Sequence, residues 1–302
     1  MTEAGPNRIG IDLGGTKTEA VVMRPDGSLA ARERIATPPA YAESLEAITA
    51  LVARLEADSG PCRIGLGHPG SLNPATGLMR NANSTWLNGQ PLQRDLETRL
   101  DRPVRTANDA DCFALSEARD GAGAGYKTVF GVILGTGVGG GLVMAGQLHA
   151  GAGNKAGEWG HNPLPWPVAE EYPGPDCWCE KQGCLEAWLS GPGLAEDHRI
   201  RTGETRDAAE LLAADDAAAR QTQDRHASRL ARGLAHVINL IDPDVIVLGG
   251  GVSNAPGLAE RVEAALPTLV FADGIRTPVR RHAHGDSSGV RGAAWLWPDQ
   301  AE

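Results

Sequence analysis

Arg8-Ile9-Gly10-Ile11-Asp12-Leu13-Gly14-Gly15-Thr16-Lys17-Thr18-Glu19-Ala20-Val21-Val22-Met23 is the stretch that decides the fold. Apolar runs at Arg8 to Leu13 and Thr18 to Met23 flank Gly14-Gly15-Thr16, which predicts two strands joined by a glycine-rich turn. Pro25-Asp26-Gly27 is the next turn signal and Leu29 to Ile35 the next strand, so three antiparallel strands open the chain. A similar unit recurs about 120 residues later, with strands at Val129 to Leu134 and Gly141 to Met144 around the turn Gly135-Thr136-Gly137. The recurrence predicts two domains of one ancestry facing each other.

Outward from these units the chain alternates. Helical spacing at Tyr41 to Ala57 and Leu92 to Leu100 is interleaved with strands at Ile64 to Gly67 and Val104 to Thr106. A helix starts at Asn108-Asp109 and runs to Asp120, where Gly121, Gly123 and Gly125 mark a domain junction. Gly151 to Cys184 lacks periodicity and is rich in Gly, Pro, Trp and Glu, which predicts a long ordered loop that needs something to hold it. Helices then dominate, with one long helix from Asp216 to Ile241 ending at Asp242-Pro243. Val245 to Leu248 is a buried strand closed by Gly249-Gly250-Gly251, and helical spacing follows through Leu258, Val262 and Leu266. A last helix, Val290 to Leu296, is expected to pack back on the first domain. The expected division is 1–120, 121–288 and 289–302.

Composition narrows the partners. With 302 residues, 41% hydrophobic and 22% charged, the chain is long enough for two globular domains and too apolar for disorder. The net charge of −10 repels a polyphosphate backbone, so nucleic acid is not an expected partner. No apolar stretch approaches the roughly 20 residues a bilayer requires, and Met1 to Arg8 has no signal-peptide core, so the cytoplasm is the expected compartment.

Three glycine turns after strands, at Gly14-Gly15-Thr16-Lys17, Gly135-Thr136-Gly137 and Gly249-Gly250-Gly251, carry the chemistry. Glycine lets backbone amides approach an anionic oxygen, and neighbouring Thr hydroxyls add donors, so together the turns predict a nucleotide site. None fits a P-loop or a dinucleotide fingerprint. Asp12, at the end of the first strand, either holds magnesium through water or caps its turn. Asp109 is either a catalytic base or part of a helix cap with Asn108. Cys177, Cys179 and Cys184 fall within eight residues and His161 precedes them, a donor set for a closed, structural zinc site. Cys62 and Cys112 are isolated and read as small buried hydrophobes. Trp159, Trp166, Trp178 and Trp188 are expected to pack rather than to stack on a ligand.

At these residues the chain resembles the ROK family of sugar kinases, in particular its bacterial fructokinase or mannofructokinase branch. The likeness runs from Ile9-Gly10-Ile11-Asp12-Leu13-Gly14-Gly15-Thr16-Lys17 through Asn81-Ala82-Asn83-Ser84-Thr85-Trp86-Leu87-Asn88-Gly89 to Gly285-Asp286-Ser287-Ser288-Gly289. It implies an α/β fold of two actin-like (ribonuclease H-like) domains around a central cleft, as in the hexokinase/actin superfamily, binding ATP, magnesium and a hexose. It places Asp109 as the base that takes the proton of the attacking sugar hydroxyl. Asn108, Asp109, Glu158, His161 and Glu186 would hold the sugar. Asp12, Gly14, Gly15, Thr16, Lys17, Thr136, Gly137, Gly249 and Gly250 would surround the nucleotide and its magnesium. His161 would serve zinc with one ring nitrogen and sugar with the other. Two departures stand out: Glu180 where the family has Gly, and His68, expected at the surface, where it has an apolar residue.

The expected reaction is fructose to fructose 6-phosphate, with mannose, glucose or an N-acetylated hexosamine as alternatives and a homodimer as the expected assembly. Repressors of the family carry a helix-turn-helix ahead of the position of Asp12, for which eleven residues leave no room. A sensor would not need Asp109, and three thiolates disfavour a zinc hydrolase.

Overall fold

The computed structural model describes residues 5–298, so the outermost ends of the expected domains, 1–4 and 299–302, lie outside the described residues. The chain opens with β1 (Arg8–Leu13), β2 (Lys17–Met23) and β3 (Leu29–Ala36), followed by α1 (Tyr41–Ser59) and β4 (Arg63–His68). A short pair, β5 (Ser71–Leu72) and β6 (Met79–Arg80), precedes α2 (Leu92–Leu100), β7 (Val104–Asn108) and α3 (Asp109–Asp120). The first sheet has the order β3-β2-β1-β4-β7, antiparallel among β1, β2 and β3 and parallel from β1 through β4 to β7.

The second half repeats this plan. It contains β8 (Thr128–Leu134), β9 (Val138–Met144) and β10 (Gln147–Leu148), then α4 (Leu185–Leu189), α5 (Gly191–Thr202), α6 (Ala208–Ala213) and α7 (Ala217–Ile241). β11 (Val245–Gly249), α8 (Leu258–Ala265), β12 (Val279–Arg281) and α9 (Ser288–Trp295) complete it. The order β10-β9-β8-β11-β12 has the same sense of pairing, strand for strand, as the first sheet. The duplicated hairpin read from the sequence is therefore one part of a duplicated five-stranded sheet. β9 begins at Val138, earlier than expected, because Gly139-Gly140-Gly141 pairs with β8 although glycine has little strand propensity of its own.

Two helices join the halves. α3 packs on β8 and β9, α9 packs on β1, β2 and β4, and the two helices pack on each other. Met23, Phe113, Val129, Val247 and Trp295 share one buried cluster across this junction. The contact is backbone to backbone. A Cβ on Gly10 would lie 2.0 Å from the carbonyl oxygen of Val290, one on Gly65 1.8 Å from that of Ala293, and one on Gly292 1.7 Å from that of Cys112. We propose the division at 1–120, 121–288 and 289–302, with α3 shared by contact between both halves. The Glu117 carboxylate, fully buried near the end of α3, accepts hydrogen bonds from the Ala122 and Ala283 amides at 2.9 and 3.0 Å and from the Ser288 hydroxyl at 2.8 Å. That group ties α3 to the start of α9.

The long loop is anchored along its length, by Asn154 to the Leu72 carbonyl and Trp159 to the Gly139 carbonyl near its start and by ionic contacts further on. Arg229 and Arg232 of α7 each reach the buried Glu171 carboxylate at 2.8 Å, and the cysteine cluster closes the loop's far end.

Gly292→Ala puts a methyl group against a backbone carbonyl that cannot step aside. It is expected to lower the unfolding free energy by about 3 kcal/mol or more in a urea titration, despite the better helix propensity of alanine. Gly274→Ala, whose Cβ would meet nothing within 4 Å, should leave stability within about 0.5 kcal/mol.

Candidate active site

The junction of β7 and α3 sets the floor of the cleft. Asn108 ends β7 and caps α3: its side-chain oxygen accepts from the Ala110 amide at 2.9 Å, and its Nδ2 donates to the Gly70 carbonyl at 2.8 Å. Asparagine supplies the cap that a helix start requires, which leaves Asp109 free for other work. The Asp109 Oδ1 accepts from the Ala110 amide at 2.8 Å, and the carboxylate opens into the cleft from the first position of the helix.

Two cavities meet there. The larger, about 650 Å³, brings together Asn108, Asp109, Glu158, His161 and Glu186. The smaller, about 270 Å³, is lined by Asp12, Gly14, Gly15 and Gly250, together with Ser288 and Gly289 from the start of α9. Asp109, Asn83 and Ile133 line both. Several expected nucleotide contacts fall elsewhere. Thr136 and Gly137 line the larger cavity. Thr16 and Lys17 lie exposed on the hairpin, outside both linings. Gly249 is buried at the end of β11, where a Cβ would come within 2.3 Å of the Phe113 ring, so packing explains that glycine. A groove of about 650 Å³ between 253–267 and 275–281 lies apart from this junction and shares no lining residue with either cavity.

Carboxylates crowd the floor. Burial pushes the Asp109 carboxyl above its usual range; the Ala110 amide opposes this and the Glu158 charge adds to it. The Asp12 carboxyl is pushed up to about 6 by burial, then by Asp109 and Glu19, with Lys17 opposing. Asp111, in the first turn of α3 and lining the larger cavity, is pushed up to about 8 by burial and by the charges of Asp109 and Glu158, with the Asn108 backbone amide opposing. Its Oδ1 is buried without a hydrogen-bond partner. Asp111 belongs to none of the sequence motifs; its signal in the sequence is an acidic side chain inside the apolar run Ala110 to Leu115. Glu186 is held by the Val138 amide, 2.9 Å from its Oε2, where Gly137 leaves room: a Cβ there would sit 2.7 Å from that oxygen.

His161, Cys177, Cys179 and Cys184 place one ligand atom each within 4.8 Å of one another. The Cys179 and Cys184 sulfurs are 3.6 Å apart, and the Cys177 sulfur is 3.6 Å from His161 Nδ1. A tetrahedral zinc ion with bonds of about 2.3 Å to sulfur sets thiolates roughly 3.8 Å apart, so this donor set fits zinc. Nδ1 faces the thiols, which leaves Nε2 as the nitrogen available to the cavity that His161 lines. Glu180 adopts φ +68°, the left-handed conformation that suits glycine, so the turn survives without one at a cost of about 1–2 kcal/mol.

Other expectations change. His68 is buried at the end of β4, not at the surface, and burial pushes its imidazole down to about 4. Trp159 and Trp188 pack in the core, whereas Trp166 and Trp178 are exposed, and Trp178 lines the larger cavity.

Two related five-stranded α/β halves facing across a cleft, with a carboxylate where two cavities meet, define the actin-like class of fold. Within it the chain belongs to the ROK family, whose sequence pattern matches residues 8–300. It is 40% identical over 301 residues to the N-acetyl-D-glucosamine kinase of Pasteurella multocida, covering 96% of this chain and 99% of that protein. The solved ROK hexokinase of Thermus thermophilus superposes with a TM-score of 0.85 at 33% identity, covering 96% of this chain and 97% of that one. A ROK glucokinase of Streptomyces griseus, solved with glucose and AMPPNP, superposes with a TM-score of 0.79 at 28% identity, over 97% of this chain and 100% of that one. The expected fructokinase branch is not where these curated relatives lie.

An Asp whose carboxyl is raised on folding binds its proton more tightly in the folded state, so ionising it opposes folding. For Asp111 that cost is absent below about pH 4 and grows as pH rises from the usual 3.8 towards about 8. Asp111→Asn is therefore expected to raise the melting temperature by on the order of a few degrees at pH 8 and by nothing measurable near pH 4, as followed by scanning calorimetry.

Proposed function

We propose that the chain transfers the γ-phosphoryl group of ATP to a hydroxyl of a hexose, with N-acetyl-D-glucosamine the favoured acceptor and the 6-hydroxyl the site of attack. The observation that carries this reading is Asp109, shared by the larger, polar cavity and the smaller, glycine-lined one. A sugar in the first and a triphosphate in the second would meet at its carboxylate. The likeness to an N-acetyl-D-glucosamine kinase at 40% identity favours that acceptor over fructose.

In this reading Asn108, Glu158, His161 and Glu186 bind and orient sugar hydroxyls, and Asp109 accepts the proton of the hydroxyl whose oxygen bonds to the γ-phosphorus. The bond from that phosphorus to the bridging oxygen breaks, and ADP leaves. Burial, which raises the Asp109 carboxyl, makes its carboxylate a stronger base than an ordinary one, as a general base requires. Glycine at 14, 15 and 250 lets backbone amides approach phosphate oxygens. Asp12 would hold magnesium, directly or through water; burial and, after it, the charges of Asp109 and Glu19 raise its pKa, and a hard cation offsets both. When bound, that ion would neutralise phosphate charge. Zinc held by His161, Cys177, Cys179 and Cys184 would order the loop that carries His161 and would supply no reactive water. Among the described residues no helix is long and apolar enough to cross a membrane, and a cytoplasmic homodimer completes the proposal.

ADP release with magnesium is expected with N-acetylglucosamine above glucose, mannose and fructose. Asp109→Asn should lower kcat about 10³-fold and leave the sugar KM within about threefold, because only proton removal is lost. Release with no dependence on sugar would contradict the reading. Removing the metal with a chelator should raise the sugar KM more than the ATP KM, with zinc content followed by atomic absorption.

A further inference from the structure

Trp178 stands between two of the clustered thiols, Cys177 and Cys179, and is 67% exposed. Core packing therefore does not account for it, in contrast to the buried Trp159 and Trp188. The ring is nonetheless fixed. Its Nε1–H donates to Glu186 Oε1 at 2.5 Å, and it stands edge-on to His161 with centroids 5.0 Å apart and planes at 84°. The other oxygen of Glu186 accepts from the Val138 amide. One carboxylate is thus held from two directions, by the backbone at the start of β9 and by an indole from the cysteine loop. With the indole removed, a single hydrogen bond would remain, and the terminal torsion of a glutamate is broad. Trp178, Glu186, His161 and Asp109 all line the larger cavity.

We propose that Trp178 is a positioning residue for the sugar: its N–H fixes Glu186, so that the order of the cysteine loop reaches the carboxylate that receives a sugar hydroxyl. The inference rests on reading the larger cavity as a sugar site. An indole N–H donates and does not accept, so it occupies one face of the carboxylate and leaves the remaining lone pairs for hydroxyl donors. The hydrogen bond is charge-assisted, and losing it should matter more than losing a neutral one.

The test compares native protein, Trp178→Phe and Trp166→Phe, all zinc-loaded, by calorimetric binding of N-acetylglucosamine and by sugar and ATP KM. Trp166 is exposed on the same loop, stacked edge-on to His236, and serves as the control. Trp178→Phe is expected to weaken sugar binding roughly tenfold, with ATP KM and zinc stoichiometry unchanged and Trp166→Phe like native. In a Glu186→Ala background the same change should cost less than about twofold in sugar KM, because the partner is gone. Native-like sugar affinity in Trp178→Phe would overturn the proposal. So would an undiminished loss in the Glu186→Ala background, or a loss that tracks departing zinc. Failure of the native protein to bind any hexose would instead overturn the sugar-site reading, and this role with it.

Discussion

The main chain of α9 lies against the main chain of α3, β1 and β4 with no side chain between them, and the cleft follows from that contact. Gly10, Gly65 and Gly292 make the approach possible, since a Cβ at any of them would overlap a carbonyl oxygen. Because α3 also rests on β8 and β9, its first turn has one place to be relative to both sheets. Asp109 begins that turn. The position of Asp109, the proposed base, is therefore set by close packing of rigid elements rather than by a loop, which is how a site keeps its groups within a fraction of an ångström.

That placement has an electrostatic cost. Asp12, Asp109, Asp111 and Glu158 face a confined volume, and burial together with their mutual repulsion raises three of the four. A fold does not accumulate such charge for stability, and perturbed carboxylates in a cleft mark a functional site. In the proposed function each group would have a use when the site is filled: a cation for Asp12, a hydroxyl proton for Asp109, hydroxyl donors for Glu158. Asp111 has no such partner in this reading, and its charge, raised in cost by burial and by Asp109 and Glu158, opposes folding.

Much of this was legible in the sequence. Arg8 to Met23 and its recurrence at Val129 to Met144 carry the fold, because strand, glycine turn and strand leave a local signature. Asn108-Asp109 reads as a helix start because asparagine caps helices, and both side chains accept from the Ala110 amide while Asp109 also lines both cavities. The cysteine spacing carries the cluster of three thiols with His161, a donor set that fits zinc. What was hidden depends on contacts far apart in the chain. The burial of His68 is decided by the layers over β4, the exposure of Trp178 by the loop's path, and the packing role of Gly249 by Phe113 more than 130 residues earlier. Preference among hexoses depends on a few hydroxyl contacts, which neither spacing nor composition encodes.

A crystal structure of the native protein with N-acetylglucosamine, magnesium and a non-hydrolysable ATP analogue tests the central claim most directly. The account predicts the sugar in the larger cavity, its 6-hydroxyl oxygen about 2.6–3.2 Å from an Asp109 carboxylate oxygen and in line with the γ-phosphorus of an analogue whose phosphates lie against Gly14 and Gly15. A sugar bound away from Asp109, or a triphosphate that does not reach the shared wall of the two cavities, would contradict it.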